Sequence, residues 1–310
     1  MTWTPDADAF VRDLEDKPAA LRAFAAALGA DPWRDVEPAR RVVCIGMGSS
    51  RFAALPVAGM LRAMGRDAVV ERSSAAVGTP GGPGTVAIGI SASGSTAETV
   101  AALSRHRDAG SATIAITNTD GSPLADVADR HIALRAGEET GGVACRSFQH
   151  TIALLLAFVD APRAAATVRR AADATEDLLH RRSSWLPQAL EGLGEEPVFV
   201  IAPEERISSA HEGALMFREG PRRQADACET GDWLHVDVYL TKPLDYRALL
   251  FTGSPSDPDV RRWIEDRGGR VVPVGAGGIR YPGDDDPDVA LLAETLVPEL
   301  LAADVWRRQA

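Results

Sequence analysis

Ala87-Ile88-Gly89-Ile90-Ser91-Ala92-Ser93-Gly94-Ser95-Thr96-Ala97-Glu98-Thr99 decides how this chain folds. An aliphatic run stops at hydroxyl residues grouped around one glycine, and helical spacing begins at once. The pattern predicts a strand, a tight loop and a helix whose amino end offers free N–H groups and the positive end of a dipole. Gly94 lets the backbone approach closely, Ser91, Ser93 and Thr96 add hydroxyl donors, and no acidic residue intrudes before Glu98. Such a junction suits a phosphate monoester. The plainer reading of the same residues is an ordinary helix cap.

The neighbouring segments repeat the theme. Arg41 to Ile45 reads as a strand, Gly46-Met47-Gly48-Ser49-Ser50 as a tight turn and Arg51 to Met64 as a helix. Strands follow at Asp67–Glu71 and Val86–Ile90, then a helix from Thr96 to Arg107, a strand Ala112–Thr117, a helix Pro123–Asp129 and a strand His131–Leu134. This pace of alternation means a parallel sheet covered on both faces, a flavodoxin-like αβα sandwich. Its ligand crevice belongs at the carboxyl ends of the strands, where their order reverses. Both serine-rich loops fall at such ends.

Ahead of this lies a helical lead over residues 5–29, broken at Pro18. Behind it, Gln149–Leu179 reads as helix and 181–194 as the transition to a second unit. That unit carries a strand Pro197–Ile201, a helix Arg206–Glu219, strands near Val236–Leu240 and Ala248–Thr252, a helix Asp259–Asp266, a strand Arg270–Val274 and a helix Asp288–Trp306. The expected fold class is therefore α/β: two tandem flavodoxin-like, three-layer αβα units with parallel sheets. The lead would occupy 1–40, the first unit 41–180 and the second 181–310. In the second unit the matching loops carry Glu204, Glu205 and Asp257, and Pro255 removes a donor. Carboxylates there would repel a phosphate, so one phosphate site per chain is expected.

Composition bounds the function. A 310-residue chain with 45% hydrophobic and 25% charged residues supports sizeable cores. A net charge of −11 argues against a nucleic-acid partner or an anionic membrane surface, so an anion must be held by local geometry. The longest apolar run, Thr151 to Val159, suits a buried helix, not a membrane span. The start Met1-Thr2-Trp3-Thr4-Pro5-Asp6 resembles neither a signal peptide nor a transit sequence. Cys44, Cys145 and Cys228 form no CxxC pair and no metal spacing, which suggests reduced thiols in a cytoplasmic protein. Lys17 and Lys242 are the only lysines, so a Schiff-base route has just two candidates.

The two Gly/Ser loops, Ile114-Ala115-Ile116-Thr117-Asn118-Thr119-Asp120-Gly121 and His211-Glu212-Gly213-Ala214-Leu215-Met216-Phe217-Arg218-Glu219 together resemble the sugar isomerase (SIS) domain family. That family includes the isomerase portion of glucosamine-6-phosphate synthase and the fructosamine-phosphate deglycases. The resemblance implies a phosphosugar isomerase, or a deglycase or deaminase of an aminated ketose phosphate, working without a metal or other cofactor as a homodimer. It assigns the sugar phosphate to Gly48, Ser49, Ser50, Ser91, Ser93, Gly94 and Thr96, with Val143 in a loop over the sugar. It makes Glu219 the base that moves a proton between the first two sugar carbons, and His235 the ring-opening histidine, reaching the neighbouring subunit. Glu212 would position substrate or buttress the base. Gly220-Pro221 ends the helix after Glu219, placing the carboxylate at the negative end of the dipole, where its pKa should rise.

The chain departs from the family pattern at Ala92, where a glutamine is usual, and at Met216, where the synthase has lysine. The synthase's tail lysine and glutaminase domain have no counterpart here, so no glutamine hydrolysis is expected. The departures favour a second reading, a non-catalytic SIS-type sensor of sugar phosphates. A dinucleotide-binding reading of Gly46-Met47-Gly48 fails on its third glycine, replaced by Arg51.

Overall fold

The structure, a computed structural model, describes residues 5–36 and 39–309. The opening residues read above as lacking a targeting signal lie partly outside that range. The lead forms α1 (Ala7–Glu15) and α2 (Lys17–Leu28), which part at Asp16 so that Pro18 falls in the first turn of α2, where its missing N–H costs nothing.

Strand β1 (Arg41–Gly46) leads through the short helix α3 (Gly48–Phe52) to α4 (Leu55–Ala63) and β2 (Asp67–Arg72). Then come β3 (Thr85–Ile90), α5 (Ala97–Asp108), β4 (Ala112–Thr117), α6 (Pro123–Asp126) and β5 (Arg130–Ala133). The helix expected over Arg51–Met64 is thus two pieces, since Pro56 cannot donate back into a continuous ladder. The strands pair in parallel in the order β2-β1-β3-β4-β5. Val43, Ile45, Ala87, Ala102, Leu103, Ala115 and Leu124 pack under α5 and α6 as one core. Order reverses between β1 and β3, so the loops after Gly46 and Ile90 are neighbours at the carboxyl edge.

Helix α7 (Arg146–His180) is kinked at Asp160, just before Pro162. Among the described residues it is long and apolar enough to cross a membrane by length and composition alone. Its run from Ile152 to Ala157 is instead buried in protein. The segment read as a transition is a helix, α8 (Arg182–Leu193), which buries Trp185, Ala189 and Leu193. Pro187 and Gly192 made it look like a linker.

The second sheet contains β6 (Val198–Ala202), β7 (Ala225–Glu229), β8 (Arg247–Phe251) and β9 (Arg270–Val274), parallel in the order β7-β6-β8-β9. Its connections are α9 (Ile207–Glu219), α10 (Thr230–Trp233) and α11 (Asp257–Glu265). The chain closes with α12 (Pro287–Ala293) and α13 (Leu296–Arg307), where a single helix was expected. Strand β7 escapes a sequence reading because Ala-Asp-Ala-Cys-Glu has no β-branched residue. Conversely, the expected strand Val236–Leu240 is a 3₁₀ helix, Asp237–Thr241. Only Val238 and Thr241, three apart, are buried there, so the β-like composition has no sheet to join.

Packing groups residues into two units, each discontinuous in sequence. One holds 23–138 with 146–166 and the first sheet. The other holds 1–22, 139–145 and 167–310 with the second sheet. In the latter, Lys17 and Glu299 form a fully buried ion pair. Asp13 accepts the Gly141 N–H at 2.7 Å, and Glu139 accepts that of Cys145 at 2.7 Å, which clips the 139–145 loop to α1.

Candidate functional site

The Ser91–Thr96 loop is held by its own hydroxyls. Ser91, 5% exposed, accepts the Gly94 N–H at 3.2 Å and bonds the Thr96 hydroxyl at 3.1 Å. Gly94 has φ +64, and a Cβ added there would lie 2.1 Å from the Ser122 Oγ. Its carbonyl accepts the Leu124 N–H at 2.9 Å, fixing the loop to α6. Replacing Gly94 with alanine should therefore cost about 2–4 kcal/mol from strain plus clash, read as a lower urea midpoint at unchanged slope.

Thr96 occupies the N-cap of α5 but makes no capping bond, because its hydroxyl is turned to Ser91. No side-chain cap forms; the Thr99 N–H is taken by the Thr96 carbonyl at 3.0 Å, so of the first-turn amides those of Ala97 and Glu98 keep their capacity for an outside acceptor. Ser93 and Ser95, both exposed, bond one another at 2.9 Å beside them. Ser95 belongs with Ser93 in the cradle and was not singled out from sequence. Across the switch point, Gly48 has φ +49, and Ser49 and Ser50 are half-buried in α3.

The second sheet has the same switch point with opposite chemistry. Asp257 accepts the N–H groups of Gly253 at 2.6 Å and Ser254 at 3.1 Å. Its own carboxylate fills the donors that an anion would use. This accounts physically for the expectation of a single phosphate cradle.

Glu219 ends α9 and is half-buried, and desolvation raises its pKa although Arg222 and Arg218 oppose the shift. Burial is thus the named cause, more than the helix end. His235 is exposed just after α10, and not at a strand entry as sequence suggested. Glu219 precedes the amino end of β7 and His235 follows its carboxyl end, so roughly 13 Å of strand separates their levels. Glu212 is fully buried in α9, which suits buttressing better than substrate contact. Val143 is 2% exposed, leaving only its backbone to offer a ligand. Met216, at 1%, is a core residue.

Other reactive groups are quiet. Burial pushes the thiols of Cys44 and Cys228 up to about 12 and that of Cys145 well above its usual range, so all stay protonated. Among the described residues no three His, Cys, Asp or Glu side chains gather as a metal set. Lys17 is sequestered with Glu299, and Lys242 is exposed at the end of the 3₁₀ helix.

Fold and site together define a tandem α/β protein with a hydroxyl-lined loop at one switch point. More particularly, residues 36–161 match the SIS domain model. It is 23% identical over 306 residues to the glutamine–fructose-6-phosphate aminotransferase (isomerizing) of Sulfurisphaera tokodaii, covering 95% of this chain and 51% of that protein. The chain thus spans about half the length of the curated relatives it matches. The solved C-terminal domain of glucosamine-fructose-6-phosphate aminotransferase from Francisella tularensis superposes with TM-score 0.79 at 16% identity, covering 96% of each chain. Glucosamine-6-phosphate deaminase from Thermotoga maritima gives 0.75 at 20%, covering 97% of this chain and 95% of that one. These structural likenesses establish the fold.

Proposed function

We propose that this protein is a phosphosugar enzyme, an isomerase or a deglycase/deaminase acting on a ketose or aminosugar phosphate by proton transfer between C1 and C2. The observation that carries the reading is the uncapped amino end of α5 above a self-bonded serine loop. Its amides and hydroxyls hold the phosphate. Anchoring there orients the sugar without touching the reacting carbons. His235 assists ring opening by relaying a proton to the ring oxygen. Glu219 then removes the proton from one of the two carbons, leaving an enediol or enolamine, and returns it to the neighbouring carbon. A carboxyl raised by burial is suited to both halves of that relay.

Because Glu219 and His235 lie at opposite ends of β7, the reading requires His235 from a second copy. Val236, Tyr239, Leu240 and Leu244 support this, being 53%, 66%, 36% and 40% exposed immediately beside it. Such an apolar patch is characteristic of an interface. The test is complementation. Glu219→Gln and His235→Gln homodimers, each inactive, are unfolded together, refolded and assayed with fructose 6-phosphate or glucosamine 6-phosphate. One site in each mixed dimer then carries both native groups, so about a quarter of wild-type activity should return. Absence of recovery in verified heterodimers would eliminate the shared-site reading.

The sensor reading rests on Ala92 and Met216. It expects phosphosugar binding with no turnover in the wild type, which the same assay reports.

A further inference from the structure

We propose that Arg51 and Arg72 form a guanidinium pair that recognises the charge of the phosphate, and that Arg51 is the residue setting specificity for a dianionic ester over a neutral sugar; this rests on the phosphosugar reading above. Three observations converge on the carboxyl edge of the first sheet. Arg72 ends β2 opposite Gly46 in the ladder, and Arg51 lies in α3, directly after the Gly48-Ser49-Ser50 turn. The next residue, Ser73, donates its N–H to the Gly46 carbonyl, and its hydroxyl meets that of Thr99 in α5 at 2.8 Å. Arg72 is therefore built into the same rim as both serine loops. Two strand steps, about 10 Å, separate the ends of β2 and β3.

The Arg51 Nε is buried and without a hydrogen-bond partner. Neither arginine has a carboxylate partner among the described residues, whereas most of the ion pairs in this acidic chain involve arginine. Burial lowers the Arg51 pKa, and the charge of Arg72 adds to that shift. Like charges at one edge are stabilised by an anion placed on them. Ala92 offers no side-chain donor in the serine loop, and Arg51 supplies one from the adjoining turn. A guanidinium adds what hydroxyls lack, a full charge in a fixed fork. The chain as a whole is acidic, so this local pair sets the attraction.

The test is calorimetric titration of wild type, Arg51→Met, Arg51→Lys and Arg72→Met with fructose 6-phosphate, glucosamine 6-phosphate, unphosphorylated fructose and inorganic phosphate, at two salt concentrations. Methionine keeps the aliphatic stem, and circular dichroism checks folding. Arg51→Met should weaken sugar-phosphate binding about tenfold to a hundredfold and flatten its salt dependence. Arg51→Lys should fall between, and exposed Arg72→Met should lose less. Binding of unphosphorylated fructose should be unchanged. If wild type and Arg51→Met bind the sugar phosphates equally, the inference fails while the phosphosugar reading stands. If only inorganic phosphate binds, the phosphosugar reading fails and the inferred ester specificity falls with it. If wild type binds no phosphate in any form, both fall.

Discussion

Glu219→Gln should reduce turnover of the phosphosugar substrate by at least about a thousandfold while leaving its affinity within about threefold of wild type. The substitution keeps size and hydrogen-bonding capacity and removes only the ability to take and return a proton. The affinity should survive because phosphate binding is assigned to the Ser91–Thr96 loop, in the other packing unit. Wild-type kcat/KM should also carry a diagnostic acid limb. Burial raises the Glu219 pKa, so the base is lost by protonation above the usual glutamate range near 4.3, and the rate falls as pH drops through that raised value. Steady-state rates from about pH 4.5 to 8.5 check this. A variant that still turns over substrate at a tenth of the wild-type rate would remove Glu219 from the mechanism.

Lys17→Met should be the most damaging single change away from the site, costing about 3–5 kcal/mol. Lys17 and Glu299 are both 0% exposed, and their pair joins α2 to α13. Removing the ammonium strands a carboxylate in protein. Burial already pushes Glu299 up to about 7, with Lys17 opposing that rise and Glu139 adding to it. In the unfolded chain the same group titrates near 4.3. Between those values the native state holds a proton that the unfolded state has released, so this group's contribution to stability decreases as pH rises. Lys17→Met pushes the native value higher, and its deficit should therefore widen from pH 5 to pH 8 in urea titrations. Lys17→Met with Glu299→Leu should recover most of the loss. A double variant no better than the single would show that packing, not charge, dominates there.

Legibility divided along physical lines. Strands β3, β4 and β9 could be read almost to the residue, because their apolar runs meet sharp turn signals, and in β3 and β4 those runs are buried on both faces. Strand β7 could not. Its five residues earn their place by pairing with β6, each with a partner 27 positions earlier that no local pattern encodes. The stretch at Val236–Leu240 misled in the opposite sense, since Val236, Tyr239 and Leu240 face outward beside His235 and only Val238 is buried. In the cradle the serines were legible as donors, but their division of labour was not. Ser91 and Thr96 spend their hydroxyls on each other, which leaves the Ala97 and Glu98 amides without a side-chain cap. Asp257 could be seen as repulsive to phosphate, yet only the folded loop shows it occupying the donors itself.

The order of apolar runs, glycines and hydroxyl turns by itself determined a parallel α/β architecture with one loop fit for an oxyanion, because those features act through local periodicity and backbone freedom. Tertiary structure decided which charges are spent and which remain available. It sequesters Lys17 with Glu299, raises Glu219 by burial, places Glu219 and His235 at opposite ends of β7 and leaves the buried Arg51 Nε, among the described residues, without a hydrogen-bond partner. Each of these depends on distance and dielectric between residues far apart in the chain, which only packing sets.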